Sequence, residues 1–372
     1  MTETSGQRRP AGLATVAQLR GFDAIIDTRS PAEFALDHIP GAINCPALDD
    51  AQRAEIGTLY KQVSPFVAKR RGAALVALNI GRHLLDSFQD KGPQWRPLIY
   101  CWRGGRRSGA FVTVLRQIGW DAHQLEGGYK NYRRDVLTQL SELPARFDFH
   151  VLSGPTGSAK SRVLERLTAH GEQVLDLEAL AAHKGSVLGN QPGQPQPPQK
   201  MFESHLLERL KTFDPARPVF AEAESRRIGR ISLPDSLIDR LRTSPCIRID
   251  APAAARTEFL LGDYTYLTQD ADNLIECLQR LTELRGRATI DSWSAMARDG
   301  QWRQLVASLL ELHYDPLYRR SQQHNFARHP DAPTICAERL DAAGIDALAA
   351  RIAACADQGS RNGASPPTAQ MR

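Results

Sequence analysis

Short apolar runs, each closed by a polar loop, alternate along this chain with stretches of helical period. Ala24–Asp27 (AIID) and residues 97–101 (PLIYC) read as buried strands, and within residues 109–118 Phe111, Leu115 and Ile118 recur on one helix face. A new strand-like run opens at Phe147 (FDFHVLSG) and ends at Val151-Leu152-Ser153; Val163, Leu164 and Leu167 follow at helical spacing. Residues 173–177 and 217–223 (RPVFAEA) read as further strands. Strands alternating with helices predict an α/β fold with parallel sheets, whose chemistry gathers at the carboxyl ends of the strands.

A length of 372 residues predicts two domains. Residues 1–12 read as a polar leader, 13–138 as a first α/β domain and 145–355 as a second, joined near the Leu143-Pro144 break. Residues 356–372 turn to Gln, Gly, Ser, Asn and Pro and predict a disordered tail. The Pro/Gln-rich stretch 189–199 cannot be a helix interior and predicts a long loop inside the second domain, a feature more often functional than filler.

Composition narrows the class. Hydrophobic residues make up 42% and charged residues 24%, as in ordinary globular chains. No apolar run approaches the ~18 residues of a membrane span, and the N-terminus is too polar for a signal peptide. Six cysteines (Cys45, Cys101, Cys246, Cys277, Cys336 and Cys355) are scattered with no Cys-x-x-Cys pair. Neither a disulfide framework nor a structural zinc cluster is therefore expected, and a reducing cytoplasm is. The net charge is +5, and only eight of the 47 basic residues are lysine. Arginine forks suit phosphate, so this balance permits a nucleic-acid partner without establishing one.

The strand at 97–101 runs into Cys101-Trp102-Arg103-Gly104-Gly105-Arg106-Arg107-Ser108 and then a helix. Strand–loop–helix placement lets backbone N–H groups converge on the sulfur and aims the positive helix end at the loop. Two glycines allow the loop to curl, and three arginines add positive charge. Each of these favours the thiolate, which is the nucleophile. The bland alternative, a buried structural cysteine, needs neither the glycines nor the arginines.

Three separated motifs then resemble rhodanese-like domains over residues 13–135. They are Asp27-Thr28-Arg29-Ser30-Pro31-Ala32-Glu33-Phe34 with His38-Ile39-Pro40-Gly41-Ala42, the Cys101 loop, and Leu125-Glu126-Gly127-Gly128-Tyr129-Lys130-Asn131-Tyr132. The resemblance implies that Cys101 carries sulfur or selenium, with the loop donors steadying the anion. Counting four residues from Cys101 to Arg106 spells a sulfur-carrier loop. Counting five to Arg107, followed by Ser108, also fits a phosphatase signature, although Tyr100 replaces the histidine usual there. Asp27, Arg29, Glu33 and His38 read as structural, with His38 a minor candidate for a general base.

The second site is a phosphate loop. Gly154-Pro155-Thr156-Gly157-Ser158-Ala159-Lys160-Ser161 sits between a strand and a helix in the Gly-x4-Gly-Lys-[Ser/Thr] frame, except that Ala159 stands where the frame has glycine. Backbone N–H groups of Gly154, Thr156, Gly157, Ser158 and Ala159 would cradle phosphate, Lys160 would neutralise its oxygens, and Ser161 would hold Mg²⁺. If residue 159 requires a positive φ, alanine costs on the order of 1 kcal/mol. The departure favours phosphate binding over nucleotide turnover. Glu222 and Glu224, at the end of the 217–223 run, are the favoured acidic partners. Asp176 and Glu178 end the 173–177 run and read as solvated or helix-capping, and the identity of any metal is open.

Both halves together, with residues 53–74, His183-Lys184-Gly185-Ser186, residues 197–203 (PPQKMFE) and residues 222–229 (EAESRRIG), resemble the tRNA 2-selenouridine synthase family over about residues 13–340. The resemblance implies an N-terminal rhodanese-like domain and a C-terminal P-loop NTPase-like domain with a parallel sheet. It also implies a selenotransferase with geranyltransferase activity, which replaces sulfur by selenium at wobble 2-thiouridine of tRNA through a geranylated intermediate. Selenophosphate and geranyl diphosphate would be its substrates, tRNA its partner, and the selenophosphate-producing enzyme a further candidate partner. Arg70 and Arg71, Arg133 and Arg134, Arg226, Arg227 and Arg230, and Arg319 and Arg320 would contact the tRNA backbone. The rival reading of the same residues is a sulfurtransferase fused to a kinase-like NTPase with a non-RNA substrate.

Overall fold

A computed structural model of the chain describes residues 12–186, 189, 193–325 and 332–362; all but the last residue of the expected polar leader lies outside them. The chain divides into two compact units, Met1–Gln139 with Pro198–Glu208, and Leu140–Pro197 with Arg209–Arg372.

In the first unit, strands β1 (Leu13–Ala14), β2 (Ala24–Asp27), β3 (Ile43–Asn44), β4 (Pro97–Tyr100) and β5 (His123–Leu125) form one parallel sheet in the order β1-β5-β4-β2-β3. Every residue of the central strand β4 is buried, which is why its sequence is a continuous apolar run. Helix Arg106–Ile118 returns from β4, burying Ser108, Phe111 and Leu115. Its last residue, Ile118, is exposed, because the helix closes there on Gly119, whose φ is 110°. Helices Asp50–Gln62 and Pro65–Asp86 lie between β3 and β4, opened by Asp49 and Ser64 caps.

Helix Gln199–Leu210 corrects the expected domain boundary. Its Pro198–Glu208 portion, assigned by sequence to the second domain, belongs to the first unit. The cause is local and polar: Ser204 Oγ donates to Asp37 Oδ1 at 2.9 Å, and Arg133 pairs with Glu203.

The second unit carries β6 (Phe149–Ser153), β7 (Gln173–Leu175), β8 (Val219–Glu222), the short hairpin β9 (Arg227–Ile228) and β10 (Ile231–Ser232), then β11 (Cys246–Asp250) and β12 (Thr334–Cys336). The main sheet is parallel in the order β12-β11-β6-β8-β7. The chain leaves β6 for β7 and β8 on one side and later crosses to β11 on the other. Strand order therefore reverses at β6, and a crevice opens at its carboxyl end. Helix Lys160–Ala169 packs Val163, Leu164 and Leu167 in one core with Leu348, Ala349, Ile352 and Ala356 of the final helix, Ala342–Asn362.

Two expectations change here. Strand β7 stops at Leu175, since Asp176 caps helix Leu177–Ala181 by accepting from Ala179 N at 2.8 Å. The final helix continues through 356–362, where a tail was expected, because Ala356 is drawn into the core; residues 363–372 lie outside the described residues. Between β11 and β12 the chain builds a helical insert, including Ala253–Asp263, Ala271–Gln279, Arg287–Arg298, Trp302–Leu309 and Asp315–Asn325, with its own core around Leu278, Trp293 and Leu305. Among the described residues, no helix is long and apolar enough to cross a membrane.

Candidate functional site

Cys101 follows β4, and helix Arg106–Ile118 begins five residues on, the shorter of the two loop counts. Its Sγ accepts a hydrogen bond from Gly105 N at 3.2 Å and from Ser108 Oγ at 3.1 Å. Burial by itself would raise the thiol pKa. The Ser108 hydroxyl and the N–H groups of Ser108, Gly105 and Arg103 outweigh it and hold Cys101 below the usual thiol value. Cys45 makes the contrast: it is also buried but lacks such donors, and desolvation with the nearby Asp27 charge pushes it up to about 11. A structural cysteine resembles Cys45; Cys101 is poised as a thiolate.

The segment after β5 clamps the loop. Tyr129 N donates to Cys101 O at 2.9 Å and Lys130 N to Trp102 O at 3.0 Å. Gly128 has φ 59°, and a Cβ there would sit 2.3 Å from Cys101 O, so only glycine permits this approach. Trp102 leans on Tyr129 with ring centroids 5.3 Å apart. Below, Arg29 binds Asp27 through Nη2 at 2.6 Å, donates to Asp37 O and lies 3.9 Å over the Tyr129 ring. His38 stacks on Phe34 at 3.7 Å and donates through Nδ1 to Phe34 O. These four motif residues are thus structural supports of the loop.

The arginines act differently from the expectation. Arg107 turns away to Glu33 at 3.2 Å, and Arg103 and Arg106 are exposed. The thiol is depressed by hydrogen-bond donors, not by guanidinium charge. Arg103 instead lines an open basic pocket with Lys130 and Arg134, beside Thr15 and Asn131.

The phosphate loop leaves β6 at the crevice. Ala159 adopts φ 60° and ψ 25°, the left-handed conformation that the missing glycine would take without strain. Lys160 Nζ donates to Gly154 O at 2.9 Å, curling over the loop. Ser158 Oγ is buried with no hydrogen-bond partner among the described residues, as expected of a group awaiting a ligand. Arg256 anchors the loop from the helical insert: it donates to Thr156 O at 3.1 Å and grips Asp315 with two bonds of 2.8 Å.

Three carboxylates meet beside this loop. Glu178, Glu222 and Glu224 each offer an oxygen within 4.8 Å of the others. Ser161 Oγ donates to Glu178 Oε2 at 2.8 Å, and Glu178 N donates to Glu222 Oε1 at 3.0 Å, leaving buried Glu222 Oε2 without a partner. Burial first, then mutual repulsion, raises all three; Glu222 stands well above the usual carboxylate value and Glu224 rises to about 8. Gly185 packs against them, since a Cβ there would lie 2.6 Å from Glu178 Oε1. The set fits a divalent cation, which would satisfy the orphaned oxygen and relieve the repulsion. Lys184, on the same cleft, is held by Asp263 at 2.5 Å and lies 4.2 Å over Tyr264.

The structure thus gathers Gly154, Thr156, Gly157, Ser158, Ala159, Lys160 and Ser161 with Glu224 on one cleft, with Glu222 behind. It adds Glu178, Lys184 and Arg256, and it adds Ser108 to the cysteine loop. Asp176 is a helix cap. Of the expected tRNA-facing arginines, Arg71 pairs with Glu55, Arg133 with Glu203 and Arg226 with Asp235, while Arg230 bonds Gln196; Arg70, Arg134, Arg227 and Arg319 are exposed.

Residues 13–135 match the family model of the rhodanese-like domain, and residues 147–284 match that of the tRNA 2-selenouridine synthase AAA domain. The chain is 38% identical over 248 residues to the tRNA 2-selenouridine synthase of Nitrosomonas europaea, covering 66% of this chain and 64%, just under two thirds, of that relative. It is 35% identical to the one of Nitrosomonas eutropha over 70% of this chain and 69% of that protein. It is 33% identical to the one of Alcanivorax borkumensis over 327 residues, 79% of this chain and 88% of the relative.

Proposed function

Because this chain belongs to the tRNA 2-selenouridine synthase family, we propose that it replaces sulfur by selenium at wobble 2-thiouridine of tRNA, using selenophosphate, through a geranylated 2-thiouridine. The supporting observation is the pairing in one chain of a donor-stabilised thiol, Cys101, with a phosphate loop built around Lys160.

The chemistry divides between the loops. In the first step the 2-thio sulfur attacks C1 of the geranyl group, and the C–O bond to diphosphate breaks. The loop N–H groups, Lys160 and Lys184 take up the charge of the departing diphosphate. Such a substrate needs no γ-phosphate hydrolysis, so a loop carrying Ala159 suffices. A Mg²⁺ held by Glu178, Glu222 and Glu224 with Ser161 would supply Lewis-acid neutralisation of that leaving group.

Geranylation turns the sulfur into a leaving group. In the second step selenium bonds to C2, the C–S bond breaks with loss of geranylthiol, and water cleaves the P–Se bond to release phosphate. Cys101 supplies the thiolate for this exchange, and the basic pocket of Arg103, Lys130 and Arg134 receives the anionic selenophosphate or tRNA backbone. A cytoplasmic location and contact with the selenophosphate-producing enzyme accompany this reading. Mass spectrometry of wobble nucleosides from cells with and without the protein tests it: 2-selenouridine should vanish without the protein. Its persistence would overturn the assignment.

A further inference from the structure

An apolar pocket opens beside the phosphate cleft, and its walls come from the helical insert. Leu260, Leu274, Trp302, Leu305, Val306 and Leu309 line it, and no charged side chain does. Trp302, Leu305, Val306 and Leu309 recur at i, i+3, i+4 and i+7, one face of helix Trp302–Leu309. Such a face is normally consumed by core packing; here part of it is left to line a cavity. Thr156, Ser186, Leu260, Tyr264 and Tyr314 line both this pocket and the phosphate cleft, so the two spaces are continuous. The contact is close: Gly157 of the loop, with φ 83°, would place a Cβ 2.9 Å from Leu260 Cδ1.

A ligand filling both spaces has an anionic head among Lys160, Lys184 and the loop N–H groups, and an uncharged tail with almost nothing to hydrogen-bond. We propose that this pocket holds the hydrocarbon chain of a prenyl diphosphate, and that its walls set the preferred chain length. The proposal rests on the diphosphate reading of the loop given above and locates the rest of that substrate. A nucleotide fits less well, since its base and ribose would enter walls of leucine, valine and tryptophan with few partners for their polar edges.

Isothermal titration of the full chain with pyrophosphate, dimethylallyl diphosphate, geranyl diphosphate and GTP, all with Mg²⁺, tests it. Each methylene withdrawn from water improves affinity roughly fourfold. Geranyl diphosphate, five carbons longer than dimethylallyl diphosphate, should bind at least about tenfold more tightly than it, and more tightly than GTP. Val306→Trp, at a half-buried wall position, should weaken geranyl diphosphate about tenfold or more and leave pyrophosphate within about twofold. Thr268→Phe, at the same rim, should do likewise. Equal wild-type affinity for pyrophosphate and geranyl diphosphate overturns the pocket while sparing the phosphate loop. So does a preference for GTP, or geranyl diphosphate binding that neither variant alters. Failure of all four ligands to bind overturns the diphosphate reading itself, and the pocket with it.

Discussion

The Ser108 hydroxyl donates to Cys101 Sγ across 3.1 Å, from the first turn of the helix that the cysteine loop enters. With Gly105 N it is the main reason a buried thiol is held below its ordinary pKa rather than above it. Ser108→Ala should therefore move the midpoint of Cys101 alkylation to higher pH, whereas Arg106→Ala should leave it nearly in place. Iodoacetamide rates against pH measure both. A larger shift from the arginine would show that charge, and not the hydroxyl, sets the thiolate.

Lys160→Ala should weaken diphosphate binding. Losing a charge-assisted contact costs about 1.5–3 kcal/mol, or roughly 10–150-fold in affinity. Titration calorimetry with pyrophosphate reads this directly, and unchanged affinity would place the diphosphate elsewhere.

Ala159 balances two opposed terms. Glycine would relieve roughly 1 kcal/mol of left-handed strain and forfeit roughly 0.8 kcal/mol from a buried methyl. Ala159→Gly should thus change unfolding stability by less than about 1 kcal/mol. Ala159→Val, β-branched at positive φ, should destabilise by more than about 1 kcal/mol. Urea unfolding of the two variants checks the balance.

The carboxylate cluster predicts coupled proton and metal behaviour. Glu224 titrates near 8 in the cation-free protein, far above its value in an unfolded chain, and Glu178 and Glu222 are raised too. Their contribution to stability is present below the unfolded carboxylate range and is lost as pH rises through the folded values. Cation-free protein should lose thermal stability between pH 6 and 9, and Mg²⁺ should restore it while releasing protons at pH 7. Calorimetry in buffers of different ionisation enthalpy measures that release. Mg²⁺ binding without proton release would argue against these ligands, as would Glu222→Gln with unaltered Mg²⁺ affinity.

Both loops were readable in sequence because each is local: a strand, a short run of glycines and charged residues, and a helix start. Strands β2, β4 and β6 were readable for the related reason that buried parallel strands are continuous apolar runs. What escaped depends on distant segments. Glu178 and Glu222 lie on different elements and meet only because β7 and β8 are neighbours in the sheet. Arg256 reaches the phosphate loop from the insert, 100 residues on. Arg107 looked like part of the anion site until Glu33, 74 residues away, claimed it. Ser204 shows the same limit at the domain level, since one hydrogen bond to Asp37 accompanies the transfer of its segment to the first unit.

The central claim is a division of labour between Cys101 and Lys160, and nucleoside mass spectrometry of tRNA from cells carrying each variant tests it most directly. Cys101→Ser should accumulate geranylated 2-thiouridine, because the leaving group is installed and never exchanged. Lys160→Ala should accumulate plain 2-thiouridine, because activation never occurs, and the double variant should match Lys160→Ala. Identical profiles from the two single variants would contradict the two-step account and require one composite site.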